Sequence, residues 1–530
     1  MPNVNKTFAE SMTFTRASSA TRFNAAGVME TVAANVPRIN YAPEDIPIYG
    51  PELVTNGNFS NGTTGLIDAG GIVTSVAGGI LSANNTTGAF ANIVWSTNAT
   101  VSEVKLYAVE IKLSTIRNFP STALRIYTAS ASFASLENTT VTQRLLIPLR
   151  SAGDIRLRLA ALCDVDFDNI SIKEITGYVA RKGDCMGLLI EEQRVNLLPY
   201  SEQLDNALYL KSALTISPNA TVAPDGTLTA DKVVEDASTG VHTLSHNTAV
   251  TFTGGTYVGS VFVKPAEREW IGIFIRDSTD TFHGAVINAN TGTFGVSVGT
   301  FVSASVDSLA NGWKRISIVA TPPAGLSAMP LKIRPSNAGT STTYTGDGVS
   351  GLYIWGAQLE QGSFPTSYIP TTSAAATRAV DLCQVSTAGW FNQEQGTFAV
   401  EFMGGLNSDN GNYGRVLAYG TGHAFVALSQ SNSVSAWNNV MSVGTGYLND
   451  VTKNFTKVAI AYDHTGRKIS ANNTTVAWKN TKLMNNQLSS VPTVFIGANH
   501  TGGNNLNGHI KKITYSPIAV SDAQLQALTV

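Results

Sequence analysis

The chain has 530 residues, with 35 Lys plus Arg against 37 Asp plus Glu, and its formal net charge of −2 leaves no basic surplus to neutralise a phosphate backbone, so nucleic acid is not an expected partner. That length exceeds what one hydrophobic core organises, and three or four domains are expected. Hydrophobic residues make up 43% and charged residues only 14%, with Gly, Ser, Thr and Asn throughout, which is the texture of a turn-rich all-β protein whose surface is polar through hydroxyls and amides.

In chain order, the first twenty residues include Lys6, Glu10 and Arg16 without an apolar run, so no signal peptide is expected, and no later stretch is apolar enough to span a membrane. Residues 1–45 carry too few apolar side chains to bury a core alone and are expected to pack on another domain or on a larger assembly. Alternation in Tyr107–Leu113 and Gln143–Leu149 predicts half-buried strands. The same period-two pattern recurs in Tyr257–Val263, Trp270–Ile275 and Trp313–Val319, while Pro224–Val234 reads as a turn and a strand. An Ala/Thr stretch, Thr371–Thr377, reads as a linker. Strands are expected again at Gly396–Met403, Phe455–Asp463, Thr493–Gly497 and Leu506–Tyr515, and Ser521–Leu528 is a helix with Ser521 as N-cap. Cys163, Cys185 and Cys383 are too few and too scattered for a disulfide framework or a zinc site.

Three strings carry more than periodicity. Phe14–Asn24 (Phe-Thr-Arg-Ala-Ser-Ser-Ala-Thr-Arg-Phe-Asn), Gly187–Ser201 (opening Gly-Leu-Leu-Ile-Glu-Glu) and Gly351–Pro370 together resemble a β-rich module of bacteriophage virion adhesins, the tail-fibre, tail-spike and head-fibre proteins. In that module the Pro37-Arg-Ile-Asn-Tyr41 stretch runs directly into the Gly-Leu-Leu-Ile-Glu-Glu segment, whereas here roughly 140 residues intervene, so an extra domain is expected in a loop of the module. The insert's ends, Gly50–Gly62 and Val165–Ile175, resemble jelly-roll carbohydrate-binding modules whose first and last strands pair. The order of segments after residue 379 resembles a laminin-G or concanavalin-A-like lectin domain. The expected architecture is therefore all-β: tandem jelly-roll β-sandwiches plus a C-terminal lectin-like sandwich. Residues 1–45 form a virion-attachment segment continuing at 178–196, 46–177 an inserted jelly roll, 197–378 a second jelly roll and 379–530 the lectin-like domain.

No catalytic constellation emerges. Glu191 and Glu192 are adjacent, so on a strand they point to opposite faces and cannot flank one glycosidic bond; a structural hydrogen bond at the module joint is the expected role. Glu401 stands alone where β-sandwich glycanases carry several carboxylates on one strand. His242 and His246 sit in a strand-like run, roughly 13 Å apart and too distant to chelate one ion. The jelly-roll resemblance implies a structural Ca²⁺ between the insert's first and last strands, held by Glu52, Asp166 and Asp168. Trp270, Trp313 and Trp355 lie in alternating strands and are expected in cores. For glycan binding the expected patch is Trp437 with Asn438, Trp478, His500, Asn504 and Asn505, because sugar recognition needs rings to stack on and amides to bond hydroxyls.

The resemblance implies a non-enzymatic structural virion protein, made in the host cytoplasm and carried on the virion surface, that binds host surface polysaccharide and mediates adsorption. It would be a homo-oligomer, a trimer on a fibre or a pentamer at a capsid vertex, contacting other virion proteins through its N-terminal region. Two alternatives stand beside it: a capsid-decoration or baseplate protein with protein-only contacts, and a polysaccharide depolymerase.

Overall fold

With so few charges and so many β-branched and small residues, the backbone satisfies its hydrogen bonds by pairing strands, and the computed structural model consists almost wholly of antiparallel sheets. It describes residues 12–42, 185–404 and 502–530 without interruption, together with the strands and some of the turns of 44–181 and 414–499. The chain divides into two compact units, one of residues 46–179 and one of residues 1–45 with 180–530.

In the smaller unit one sheet runs Gln143–Leu149, Lys105–Asn118, Asp164–Arg181, Ile80–Asn85 and Ile72–Ala77, with Glu44–Glu52 also paired to Asp164–Arg181. A second, five-stranded sheet contains Ala131–Ser135, Leu124–Thr128, Arg156–Leu159, Ala91–Trp95 and Leu66–Ala69. Leu81, Leu113, Val165 and Phe167 are fully buried. The entering and leaving strands are partners, so the chain departs close to where it arrived; that is the geometry an insertion in a loop requires.

The larger unit holds two sandwiches. In one, which is the second sandwich of the chain, a sheet of Tyr209–Ser212, Thr243–His246, Leu331–Ser336, Trp270–Arg276, Phe282–Asn288 and Phe294–Val298 covers a sheet of Leu214–Thr221, Ala230–Glu235, Gly351–Gln361, Tyr257–Pro265, Lys314–Ala320 and Phe301–Ser308. Val261, Ile273, Ile318 and Leu359 are among the side chains packed between them. Alternation then sends Phe262 and Trp355 to the outer face, where they join Trp313, Tyr368 and Met29 in a second apolar cluster. What covers that face is the N-terminal hairpin Ala20–Phe23 with Met29–Val32. Trp313 and Trp355 are therefore buried as expected, but under the hairpin instead of between the sheets. Their indole N–H groups donate to Val222 O at 3.0 Å and Thr229 Oγ1 at 3.2 Å.

The C-terminal sandwich has two seven-stranded sheets, and here the structure redraws the expected boundaries. Met12–Thr15 pairs with Leu382–Ser386 at the edge of one sheet, while Ile39–Tyr41 and Cys185–Ile190 extend the other by pairing onto Gly508–Ser516. Phe14, Leu188 and Ile190 enter the same core as Phe398, Val400, Ile460 and Ile496. Residues 12–41 are thus strands of the folded unit and not a separate segment, and 379–530 does not close a sandwich alone. The reason is apolar burial: these strands carry Phe14, Leu188 and Ile190 into the core that the two sheets share. Gly187 is required in this arrangement, since its φ is +92° and a Cβ would lie 2.2 Å from Ile510 O.

The expected linker is also part of the packing. Thr371 is buried, its hydroxyl donates to Leu198 O at 2.6 Å, and Ala376–Arg378 pairs with Arg194–Asn196. The helix is Asp522–Ala527 with Ser521 in a capping box, and it buries Leu525 against Ala459 and Ala461.

Two outcomes follow. Replacing residues 46–179 by a short linker between Asp45 and Ala180 should leave a protein that still unfolds cooperatively by circular dichroism. Trp313→Ala and Trp355→Ala should each lower stability by about 3–5 kcal/mol in denaturant titration, because each empties a buried ring's volume.

Candidate functional site

The motif residues converge on one buried joint. Arg16 donates from Nη1 to Asp381 Oδ1 at 3.1 Å, and Arg38 donates to the other oxygen of Asp381 and, at 2.7 Å, to Glu191 Oε2. Arg378 Nη1 lies 2.9 Å from Glu191 Oε2. The Ser367 N–H and hydroxyl donate to Glu191 Oε1 and Oε2 at 2.8 and 2.6 Å. Glu191 and Asp381 also bond each other: the Glu191 N–H donates to the Asp381 side-chain Oδ2 and the Asp381 N–H to the Glu191 main-chain carbonyl, each at 3.0 Å. All five ionic residues are at most 6% exposed. Burial alone would push the Glu191 carboxyl up, but the Arg378 and Arg38 guanidiniums and the Ser367 donors outweigh it and hold the group well below the usual carboxylate range. With every oxygen engaged, Glu191 is a structural carboxylate.

The implied calcium site finds a different cation. Asp166 is held by Arg117, whose Nη1 and Nη2 lie 2.7 and 2.6 Å from its two oxygens, and Arg117 Nε donates to Asp164 at 2.9 Å. Asp168 pairs with Lys112. The Arg117 hydrogen bonds keep the Asp166 carboxyl below its ordinary range. Glu52 ends the strand Glu44–Glu52, and its side chain lies outside the described residues. A guanidinium clamped on Asp166 repels a second cation, so these residues do not fit the ion; among the described residues no group of three His, Cys, Asp or Glu side chains could hold a metal.

The expected glycan patch is only partly placed. Trp437, Asn438 and His500 lie outside the described residues. Trp478 is on the edge strand Ala477–Lys479, in register with Lys468, and that strand lies against Met441–Val443 of the opposite sheet. Asn504 and Asn505 instead precede Gly508–Ser516, four strands away, or roughly 19 Å at about 4.8 Å per strand. Asn505 is 1% exposed, and the Asn504 carbonyl accepts the Arg415 N–H at 2.8 Å. The structure therefore does not bring these two amides to the strand that carries Trp478, and Asn505 is an interior group.

An acidic cleft of about 240 Å³ escaped the sequence reading. Glu30 comes from the N-terminal hairpin and Glu202 and Asp225 from the second sandwich, and Trp355 and Tyr368 also line it. The Tyr368 hydroxyl donates to Glu202 Oε1 at 3.2 Å, and burial raises the Glu202 carboxyl above its ordinary range. Glu30 is engaged by Arg22, and Asp225 caps its own turn by accepting from Thr227 N at 2.9 Å. No local signal could have joined residues 30, 202 and 225, because the hairpin's docking brings them together.

No family model and no curated protein matches the sequence. Among solved structures, the N-terminal CBM22-1-CBM22-2 tandem domain of Paenibacillus barcinonensis Xyn10C is similar over 61% of this chain and 98% of that chain, at 14% identity and a TM-score of 0.21. Trypanosoma rangeli sialidase is similar over 97% of this chain and 98% of that chain, at 9% identity and a TM-score of 0.23. At such scores the likeness carries no argument about this chain.

The joint sets a pH dependence. Because the folded-state value of Glu191 is depressed, its contribution is fully present above the ordinary carboxylate value of 4.5 and is lost as pH falls below it. Stability should drop on acidification from about pH 4.5, and Glu191→Gln should flatten that slope while costing about 3–5 kcal/mol at pH 7, since it leaves buried arginines unpaired. Denaturant titrations from pH 7 to pH 3 read both effects.

Proposed function

We propose that this protein is a non-enzymatic adhesin of a phage or phage-like particle, displayed on the virion surface, that binds polysaccharide of the host surface. The observation that carries the reading is the fate of the adhesin-like strings: Arg16, Arg38, Glu191, Arg378 and Asp381 spend their charges on one another inside the fold, as a display scaffold does, and leave none for acid/base work. Three sandwiches on that scaffold offer extended polar surface for uncharged glycan. Several copies, as a trimer or at a vertex as a pentamer, would turn weak contacts into stable adsorption. In this reading Trp437, Asn438 and Trp478 supply stacking and hydroxyl contacts, and attachment to other virion proteins falls to the N-terminal region.

One observation favours a second reading, a polysaccharide depolymerase. Glu202, with a raised carboxyl beside Glu30 and Asp225, has the character of a general acid.

Host capsule or lipopolysaccharide incubated with the purified protein should be bound and retain its chain length in size-exclusion chromatography. Oligosaccharide products that vanish with Glu202→Gln would replace the adhesin by the depolymerase. Absence of binding to any host polysaccharide would leave neither standing.

A further inference from the structure

A second cleft, of about 330 Å³, is also lined by the N-terminal hairpin and falls within the range of roughly 300–1,000 Å³ that small-molecule sites occupy. Its walls are mainly apolar: Phe23 and Met29 from the hairpin, Phe262 and Leu309 from the second sandwich, and Tyr41 and Met186 from the strands added to the C-terminal sandwich. The rings of Phe23 and Tyr41 are half-buried, so each keeps accessible surface.

The charges in the wall cancel. Arg22 lies 2.7 Å from Glu30, Glu191 is neutralised by Arg38 and Arg378, and Asp307 stands opposite Arg315 on paired strands. His509, with Nε2 2.9 Å from Asn40 Nδ2, is pushed by burial down to about 4 and is uncharged at neutral pH. Arg315 offsets the Asp307 charge through its field without an ion pair, so the cleft carries no net charge and suits a neutral occupant. Among the described residues Asp307 has no hydrogen-bond partner, and it is exposed at the mouth. Burial raises the Asp307 carboxyl and the Arg315 guanidinium opposes that, and a carboxyl group accepts hydroxyl hydrogen bonds in either state.

We propose that this cleft binds one neutral sugar ring, its apolar face against Phe23 and Tyr41 and two adjacent hydroxyls on Asp307. The inference rests on the polysaccharide-binding reading and gives it a place, at the joint between the N-terminal hairpin and the two sandwiches of the larger unit. It requires rings for the C–H face, an acceptor for the hydroxyls and no net charge, and the cleft has all three.

The test uses the full chain, D-glucose, D-galactose, N-acetyl-D-glucosamine and L-rhamnose as separate probes, and saturation-transfer NMR. Asp307→Ala removes the acceptor and Ser308→Trp fills the mouth; both positions are exposed, and melting curves confirm that the variants fold. At least one sugar should bind the parent, about tenfold more weakly to Asp307→Ala, and not at all to Ser308→Trp. Equal binding to parent and both variants overturns the site. Host polysaccharide bound equally by all three proteins, with no monosaccharide signal, also overturns it and leaves the proposed function intact; a parent that binds no polysaccharide sinks both.

Discussion

The larger unit depends on a buried ionic joint in which Arg16, Arg38 and Arg378 surround Asp381 and Glu191. Three guanidiniums and two carboxylates lose their water there, a cost that Coulomb attraction offsets only when the geometry is right and the remaining donors and acceptors are met. Ser367, the Glu191 N–H and the carbonyls of Ser18 and Ala33 meet many of them. Such an arrangement has few near neighbours of similar energy. It selects one relative placement of the segments around residues 16–38, 191 and 367–381, which are otherwise joined by hundreds of residues.

That selection explains how the rest can be built. Arg38 is fixed to Glu191 at the two ends of the gap in which the insert hangs, so the strands Ile39–Tyr41 and Cys185–Ile190 pair whether few or many residues intervene. The N-terminal strand Met12–Thr15 and the hairpin Ala20–Phe23 with Met29–Val32 go from the joint to different partners, one to the C-terminal sandwich and one to the outer face of the second. Both clefts of the larger unit are then consequences: each is a gap along the docked hairpin, walled by residues that only the joint brings together.

Local structure was legible in the sequence to the extent that it is local. The alternation in Tyr257–Val263 and Trp270–Ile275 marks strands that run Tyr257–Pro265 and Trp270–Arg276, and Ser521 caps its helix as its spacing to Gln524 indicates. Long-range pairing was not legible. Nothing near Phe14 encodes that it faces Cys383 across a ladder, because register between strands hundreds of residues apart is settled by the shared core and the joint. Charge was misleading in the same way. Arg16 and Arg38 look like solvated side chains until their partners are known, and Asp166 looks like a calcium ligand until Arg117 is seen on it. Asn505 read as a surface amide because its neighbours are polar, yet it is interior.

The central claim is that the adhesin-like charges act as one cooperative joint. A double-mutant cycle with Arg38→Met and Asp381→Leu in the full chain addresses it directly, with unfolding free energy as the readout. Each single variant should cost about 3–5 kcal/mol, because it strands a buried opposite charge. The double variant should cost at least about 2 kcal/mol less than the sum of the two. Effects that add to within about 0.5 kcal/mol would show that Arg38 and Asp381 act independently, and the joint would not be the interaction that organises the fold.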